Sequence, residues 1–171
     1  MSLIKKILFL SIFVLTISIS KTFAEDLKKI GKFKDWEVMV ISEASGKVCF
    51  AQSSPVLHAP KKNKRDARLF ITFRPSEKIK NEISTTAGYE FNKNNTVLAT
   101  SGNNKFKFDI KQQCFAWMTS NKKENIMVKV MKKGSRIMIT GYNKKGSQTI
   151  DDYSLLGFTK AYNKAKDSCK T

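Results

Sequence analysis

The residues best suited to chemistry are one histidine, His58, and three cysteines, Cys49, Cys114 and Cys169. A cysteine activated by a histidine acts as a nucleophile, so Cys114 or His58 could serve an enzyme of unrecognised type. No local pattern around either residue resembles a nucleophile motif. A single histidine without closely spaced cysteines also disfavours a zinc centre or a histidine-based hydrolase. We therefore expect no catalytic site, metal or cofactor, and the enzyme is the alternative hypothesis.

Two groups of carboxylates lie close together in the sequence. Adjacent residues of a strand point to opposite faces, so Asp151 and Asp152 are interpreted as an exposed turn or strand end rather than a metal site. No pattern brings Glu77 and Glu82 to a shared substrate. Arg74 ends an apolar run, and a buried ion pair between Arg74 and Glu82 is the structural role that we expect.

The chain is strongly basic: its 171 residues include 32 Lys and Arg against 14 Asp and Glu, a formal net charge of +18. The densest basic cluster consists of Lys61, Lys62, Lys64 and Arg65. Such a cluster can attract anionic lipid head groups, lipopolysaccharide or acidic polymers. A solvated surface produced by AT-rich coding is the competing interpretation. Nucleic acid is disfavoured because arginine, which makes bidentate contacts to bases and phosphates, is scarce.

The first 24 residues have the pattern of a secretory signal peptide. Two lysines precede a mostly apolar run at residues 7–19, and small residues stand at positions −3 and −1 relative to a cut before Glu25. An apolar run of ~13 residues is shorter than the ~20 that a membrane-spanning helix needs, which favours a cleaved signal over a permanent anchor. The sequence thus predicts export, one domain at residues 25–171 and no transmembrane segment after cleavage.

Export changes the interpretation of the cysteines, because an oxidising compartment permits disulfides. Cys49, Cys114 and Cys169 allow three single pairings, and each pairing leaves one thiol free. A structural disulfide is preferred over a catalytic thiol, and the pairing is open at this point.

Most of the chain beyond residue 25 shows the alternation that is typical of strands. The alternating runs lie at residues 36–40, 69–73, 105–110 and 137–139. In the third run, Phe106, Phe108 and Ile110 are expected to share one buried face. Turn signals rich in Gly and Asn separate the runs, which predicts an antiparallel sandwich or barrel. Trp36 and Trp117 are interpreted as aromatic residues of the core or the sandwich edge.

Two segments follow helical spacing instead. Residues 123–132 place apolar side chains at i,i+4 and are followed by Gly134, which predicts a short helix. Near the C terminus, an apolar stripe recurs at helical spacing: Leu155, Phe158, Tyr162, Ala165 and Cys169. This second helix would lay its apolar face on the sheet and carry Cys169 on its buried side.

A series of ordered motifs covers residues 32 to 169. The series begins with aromatic-x-Asp-Trp at 33–36 and Cys-aromatic-x-x-Ser-x-Pro at 49–55. It continues with Arg-Pro-x-Glu at 74–77, Asn-Glu-hydrophobic-Ser at 81–84, Ala-Gly-Tyr-x-Phe at 87–91, Ala-Trp at 116–117, Lys-Gly-Ser at 133–135 and Asp-Tyr-Ser-Leu-Leu-Gly-Phe-Thr at 152–159. In this order the motifs resemble the invasion-associated locus B family of exported alphaproteobacterial proteins.

The resemblance implies an immunoglobulin-like β-sandwich in the periplasm or cell envelope of a Gram-negative bacterium, or secreted from it, without a known enzymatic activity. Cys49 and Cys169 match a subset of the family with one cysteine in each region, which favours their pairing and leaves Cys114 free. We expect a non-enzymatic accessory or binding protein. Its partner would be an unidentified protein or an anionic envelope surface, the latter contacted through the basic cluster. A role in host invasion does not follow, because many relatives belong to free-living bacteria.

Overall fold

The computed structural model describes residues 26–62 and 64–170, so the predicted signal peptide lies outside the described residues. Strands dominate this part of the chain: β1 (Asp26–Phe33), β2 (Trp36–Glu43), β3 (Gly46–Ser53), β4 (Leu57–Ala59), β5 (Ala67–Arg74), β6 (Ile79–Ala87), β7 (Val97–Ser101), β8 (Asn104–Phe108), β9 (Ile110–Gln112), β10 (Phe115–Trp117), β11 (Arg136–Tyr142) and β12 (Gln148–Ser154). A 3₁₀ turn (Pro75–Glu77) follows β5, and the helices are α1 (Asn121–Lys133) and α2 (Phe158–Ser168).

The strands form two antiparallel sheets. The seven-stranded sheet has the order β1-β2-β3-β5-β6-β10-β9, and the five-stranded sheet has the order β4-β12-β11-β7-β8. Side chains that alternate inward along the strands, such as Leu69, Ile71, Phe108 and Ile137, are fully buried or nearly so. The predicted antiparallel sandwich with a short helix and a C-terminal helix is confirmed.

The alternating run at residues 105–110 changes sheets partway along. Phe106 and Phe108 lie buried in β8 of the five-stranded sheet, but the regular strand stops at Asp109 and β9 joins the seven-stranded sheet. Ile110 therefore begins a strand of the other sheet, where it is 48% exposed. The expectation that Ile110 shares the buried face of Phe106 and Phe108 is wrong. The alternation of polar and apolar residues continues unchanged through the break at Asp109, so the sequence pattern does not show that the chain passes from one sheet to the other.

Helix α1 connects the two sheets and packs on β6. It begins after Ser120, whose hydroxyl accepts a hydrogen bond from the backbone N–H of Lys123 at 3.4 Å. Its buried side carries Met127, Val128 and Met131, and Gly134 follows its last turn. The predicted helix is confirmed and extends two residues further toward the N terminus, where the serine cap sets its start.

Helix α2 packs its apolar side on β2 and β3. Phe158 at its start makes an edge contact with Trp36, with ring centroids 4.9 Å apart. Gly157 precedes the helix at φ +88°, and a Cβ atom there would lie 1.9 Å from the carbonyl oxygen of Phe33. A larger residue would therefore clash with the backbone at this turn. Neither helix of residues 26–62 and 64–170 has the length and the hydrophobicity of a membrane-spanning segment.

Candidate functional site

A disulfide joins the seven-stranded sheet to the end of α2. Cys49 lies on the buried face of β3, and Cys169 follows the last turn of α2. The two residues are bonded with a Cα–Cα distance of 5.8 Å and lie 120 residues apart in the sequence. The pairing favoured by the family resemblance is confirmed, and Cys114 is the free thiol.

Three of the four residues of the predicted basic cluster are exposed in the segment between β4 and β5. We call Lys61, Lys62 and Lys64 the lysine loop. None of the three forms an ion pair with a carboxylate of the described residues. Their charges are therefore free to meet an external anion.

Arg65, the fourth member of the predicted cluster, has a different role. Its Nη1 and Nη2 atoms donate hydrogen bonds of 2.9 and 2.6 Å to the two carboxylate oxygens of Asp151 in β12. Only 8% of the Arg65 side chain and 3% of the Asp151 side chain are exposed. Nη1 also donates to the carbonyl oxygen of Ala87 at 3.0 Å. The structure thus removes Arg65 from the exposed cluster and makes it an anchor that fixes the end of the lysine loop to the sandwich.

The Arg65 guanidinium keeps its positive charge although it is buried against Asp151. Burial lowers the pKa of Arg65, but the hydrogen bonds and negative charge of Asp151 outweigh that effect, and the net result is a raised pKa. The guanidinium also lies over the ring of Tyr89, 5.7 Å from the ring centroid. Arg65 therefore keeps its positive charge in the buried ion pair at neutral pH.

The interpretation of Asp151 and Asp152 as an exposed turn or strand end is wrong. Both lie inside β12, and their side chains leave opposite faces of the strand. Asp151 is buried against Arg65. Asp152 accepts a hydrogen bond of 3.0 Å from Arg136 Nε in the neighbouring strand β11, and its other carboxylate oxygen lies 2.8 Å from Arg136 Nη2 in an ion pair. An arginine neutralises each carboxylate, and the described residues contain no group of His, Cys, Asp and Glu side chains that could hold a metal.

Arg74 and Glu82 form the expected ion pair, but it is half-buried rather than buried, since their side chains are 26% and 19% exposed. Arg74 Nη2 lies 2.6 Å from Glu82 Oε2, and Arg74 Nε lies 3.3 Å from Glu77 Oε1. Burial raises the pKa of Glu82, the charge of Arg74 lowers it, and the nearby charge of Glu77 raises it. The two glutamates therefore pair with the same arginine.

The two residues of the enzyme hypothesis lie in different sheets. His58 is in β4, the edge strand of the five-stranded sheet. Cys114 is partly exposed in the turn between β9 and β10 of the seven-stranded sheet. No hydrogen bond joins their side chains, so the geometry provides no histidine that could activate the Cys114 thiol.

A row of four aromatic rings lies on the outer face of the seven-stranded sheet, and sequence reasoning missed it. Phe50 in β3 contacts Phe70 in β5 with ring centroids 6.0 Å apart. Phe70 lies 6.0 Å from Phe115 in β10, and Phe115 stacks on Trp117 at 5.6 Å. We call these four residues the aromatic face. Ala116, between the last two, is fully buried on the opposite side of its strand, so the rings point away from the core.

Comparisons with known proteins agree with this architecture. The family model described as "Invasion associated locus B (IalB) protein" matches residues 36–166. The fold is similar to the crystal structure of invasion associated protein B from Bartonella henselae, with a TM-score of 0.57 and 13% identity over 81% of this chain and 96% of that chain. At that identity the likeness concerns the fold alone, and no curated protein matches the sequence. Because the family model spans most of the described chain, this protein belongs to the invasion-associated locus B family.

Proposed function

We propose that this protein is an exported, non-enzymatic component of the cell envelope that binds an anionic envelope surface through its lysine loop. The observation that carries the proposal is the arrangement of Lys61, Lys62 and Lys64. They are exposed and have no carboxylate partner among the described residues, while the adjacent Arg65 is anchored to buried Asp151. Neighbouring cations on an anchored segment lose less conformational freedom on binding than cations on a free tail.

Two further features support an exported binding protein. The Cys49–Cys169 disulfide suits an oxidising compartment, and the predicted signal peptide would direct the chain there. The separation of Cys114 from His58 supports binding rather than catalysis, because the thiol has no general base beside it.

The test compares two triple variants that remove the same charge. In the first, Lys61, Lys62 and Lys64 are replaced by alanine. In the matched control, alanine replaces three exposed lysines of α1: Lys122, Lys123 and Lys129. Both variants lose three positive charges, so a difference between them reports where the protein contacts the anion.

Residues 25–171 are sedimented with vesicles of equal parts phosphatidylglycerol and phosphatidylcholine at low salt. A lysine close to an anionic membrane contributes about 1 kcal/mol, so the lysine-loop variant should bind up to roughly 100-fold more weakly than the wild type. The α1 variant should lose far less affinity. Equal losses of vesicle affinity in both variants would show that the lysine loop is not the contact site. A wild-type protein that does not sediment with the vesicles would refute the proposal.

A further inference from the structure

We propose that the aromatic face enters the interfacial layer of an anionic lipid bilayer while the lysine loop contacts the head groups. The inference rests on the proposed function and names the surface that touches the membrane. It assigns a role to the four rings of the aromatic face, which the anionic-surface proposal leaves without one.

The sandwich does not use the aromatic face as its core. Leu69 and Ile71, on the opposite side of β5 from Phe70, are fully buried in the core between the layers. Phe115, by contrast, is 37% exposed, and Phe50, Phe70 and Trp117 are each partly exposed. Exposed aromatic side chains that form a contiguous patch, unlike single scattered ones, are a feature of surfaces that bind a partner or a membrane.

Small polar residues beneath the rings complete this surface. Ser84 and Thr86 of β6 lie on the outer face, between Phe70 and Arg68 of β5 and the two aromatic residues of β10. Their exposures are only 6% and 8%, so the aromatic rings lean over them and close the gap. The result is an unbroken layer of rings from β3 to β10. Ile110, directly opposite Trp117 in the register of β9 and β10, extends the apolar surface.

Charge complementarity identifies the occupant as an anionic bilayer. The lysine loop lies toward the Phe115 end of the aromatic face, because the loop leads into β5 and Arg68 near the start of β5 lies in one cross-strand row with Thr86 and Phe115. Asp66 is paired with Arg68 and Glu37 with Lys29, so these carboxylates are compensated locally. Lys32, Lys34 and Asp35, in and after β1 at the same end, are also exposed and form no ion pair among the described residues, so the net charge there is positive and comes from the lysine loop together with these two lysines.

A bilayer suits both parts of this surface at once. Aromatic rings are favoured at the level of the lipid head groups, and lysines bind the anionic phosphates there. A second copy of the chain would instead bring two strongly basic proteins together, with like charges at the edge of the contact.

Trp117 is a built-in reporter of the proposed contact. The chain has two tryptophans, and the other one, Trp36, is fully buried beside Phe158. Transfer of Trp117 into the lipid interface should shift its fluorescence emission to shorter wavelength, while Trp36 should not respond. We therefore compare the wild type with Trp117→Phe, in which only the buried tryptophan remains, using the mixed vesicles described above and pure phosphatidylcholine vesicles.

The expected result is a blue shift of the wild type that requires phosphatidylglycerol and is lost in Trp117→Phe. Brominated lipid, which quenches tryptophan at close range, should quench the wild type and spare Trp117→Phe. Phe115→Ser should weaken vesicle binding about tenfold, which corresponds to about 1.4 kcal/mol. The matched control is Met138→Ser on the outer face of the five-stranded sheet, where Met138 is 40% exposed, and it should bind within about twofold of the wild type.

The outcomes separate this inference from the proposed function. Vesicle binding could depend on the lysine loop while the Trp117 emission does not shift and Phe115→Ser binds as tightly as the wild type. That result would overturn the inference and leave the proposed function in place. The lysine-loop variant could instead show the same blue shift as the wild type, and lose as much vesicle affinity as the wild type does when Phe115→Ser is added. That result would support membrane contact by the aromatic face and overturn the role of the lysine loop. A concentration-dependent dimer in light scattering, with a Trp117 shift in the absence of lipid, would assign the face to a second copy and refute the inference.

Discussion

Removing one partner of the Arg65–Asp151 ion pair should destabilise the protein far more than removing both. The perturbation consists of Arg65→Met, Asp151→Leu and the double variant. Each single change leaves one charged group buried without its partner, since the two side chains are 8% and 3% exposed. In the double variant the buried charge is gone from both sides.

The structure sets the magnitude. Breaking a buried ion pair from one side costs about 3 to 5 kcal/mol, whereas exchanging both partners for apolar groups is often close to neutral. Arg65 also donates to the carbonyl oxygens of Ala87 at 3.0 Å and Ala59 at 3.5 Å, so the double variant loses two further hydrogen bonds, together worth about 1 to 2 kcal/mol. We expect the free energy of unfolding to fall by about 3 to 5 kcal/mol in each single variant and by no more than about 2 kcal/mol in the double variant.

Urea unfolding followed by tryptophan emission measures these free energies, because the fully buried Trp36 reports on the core. A second readout is vesicle binding, which should weaken in the double variant since the lysine loop loses its anchor and becomes more costly to order. Additive losses in the double variant would refute the reasoning, because they would mean that Arg65 and Asp151 stabilise the fold independently.

Two other predictions follow from the described structure. Replacing Cys49 and Cys169 together by alanine should lower the free energy of unfolding by up to about 5 kcal/mol, since the bond closes a loop of 120 residues; a midpoint in urea unchanged from the wild type would contradict this. Burial raises the pKa of Glu124 above that of the unfolded chain, so the folded state binds the proton more tightly and the ionised carboxylate destabilises the fold at neutral pH. The stability of the wild type relative to Glu124→Gln should therefore increase as the pH falls from neutral toward the ordinary pKa of a glutamate, and parallel pH profiles would show that this carboxylate does not titrate with folding.

Local patterns predicted the elements of the fold well. Alternation at residues 36–40 and 69–73 identified β2 and β5, and i,i+4 spacing identified both helices. The disulfide pairing came from the family resemblance, because three cysteines alone left three choices open. Helix and strand positions, which depend on neighbouring residues, were thus predicted, although alternation alone placed Ile110 on the buried face of the wrong sheet.

The missed features depend on partners that are distant in sequence. Asp151 meets Arg65 across 86 residues, and alternation within β12 does not reveal which face receives an arginine. Alternation along β5 correctly puts Phe70 on the other face of the strand from Leu69 and Ile71. Only the strand order β3-β5-β6-β10, however, brings Phe70 together with Phe50 and the rings of β10. Strand order, rather than local pattern, creates the aromatic face and the buried anchor of the lysine loop.

The central claim is that this protein binds an anionic envelope surface, and vesicle co-sedimentation tests it most directly. Residues 25–171 are mixed with vesicles of equal parts phosphatidylglycerol and phosphatidylcholine, or of phosphatidylcholine alone, at low and at moderate salt. We predict sedimentation with the anionic vesicles only, weakened as salt screens the lysine charges. Equal sedimentation with neutral vesicles, or none with either, would contradict the claim.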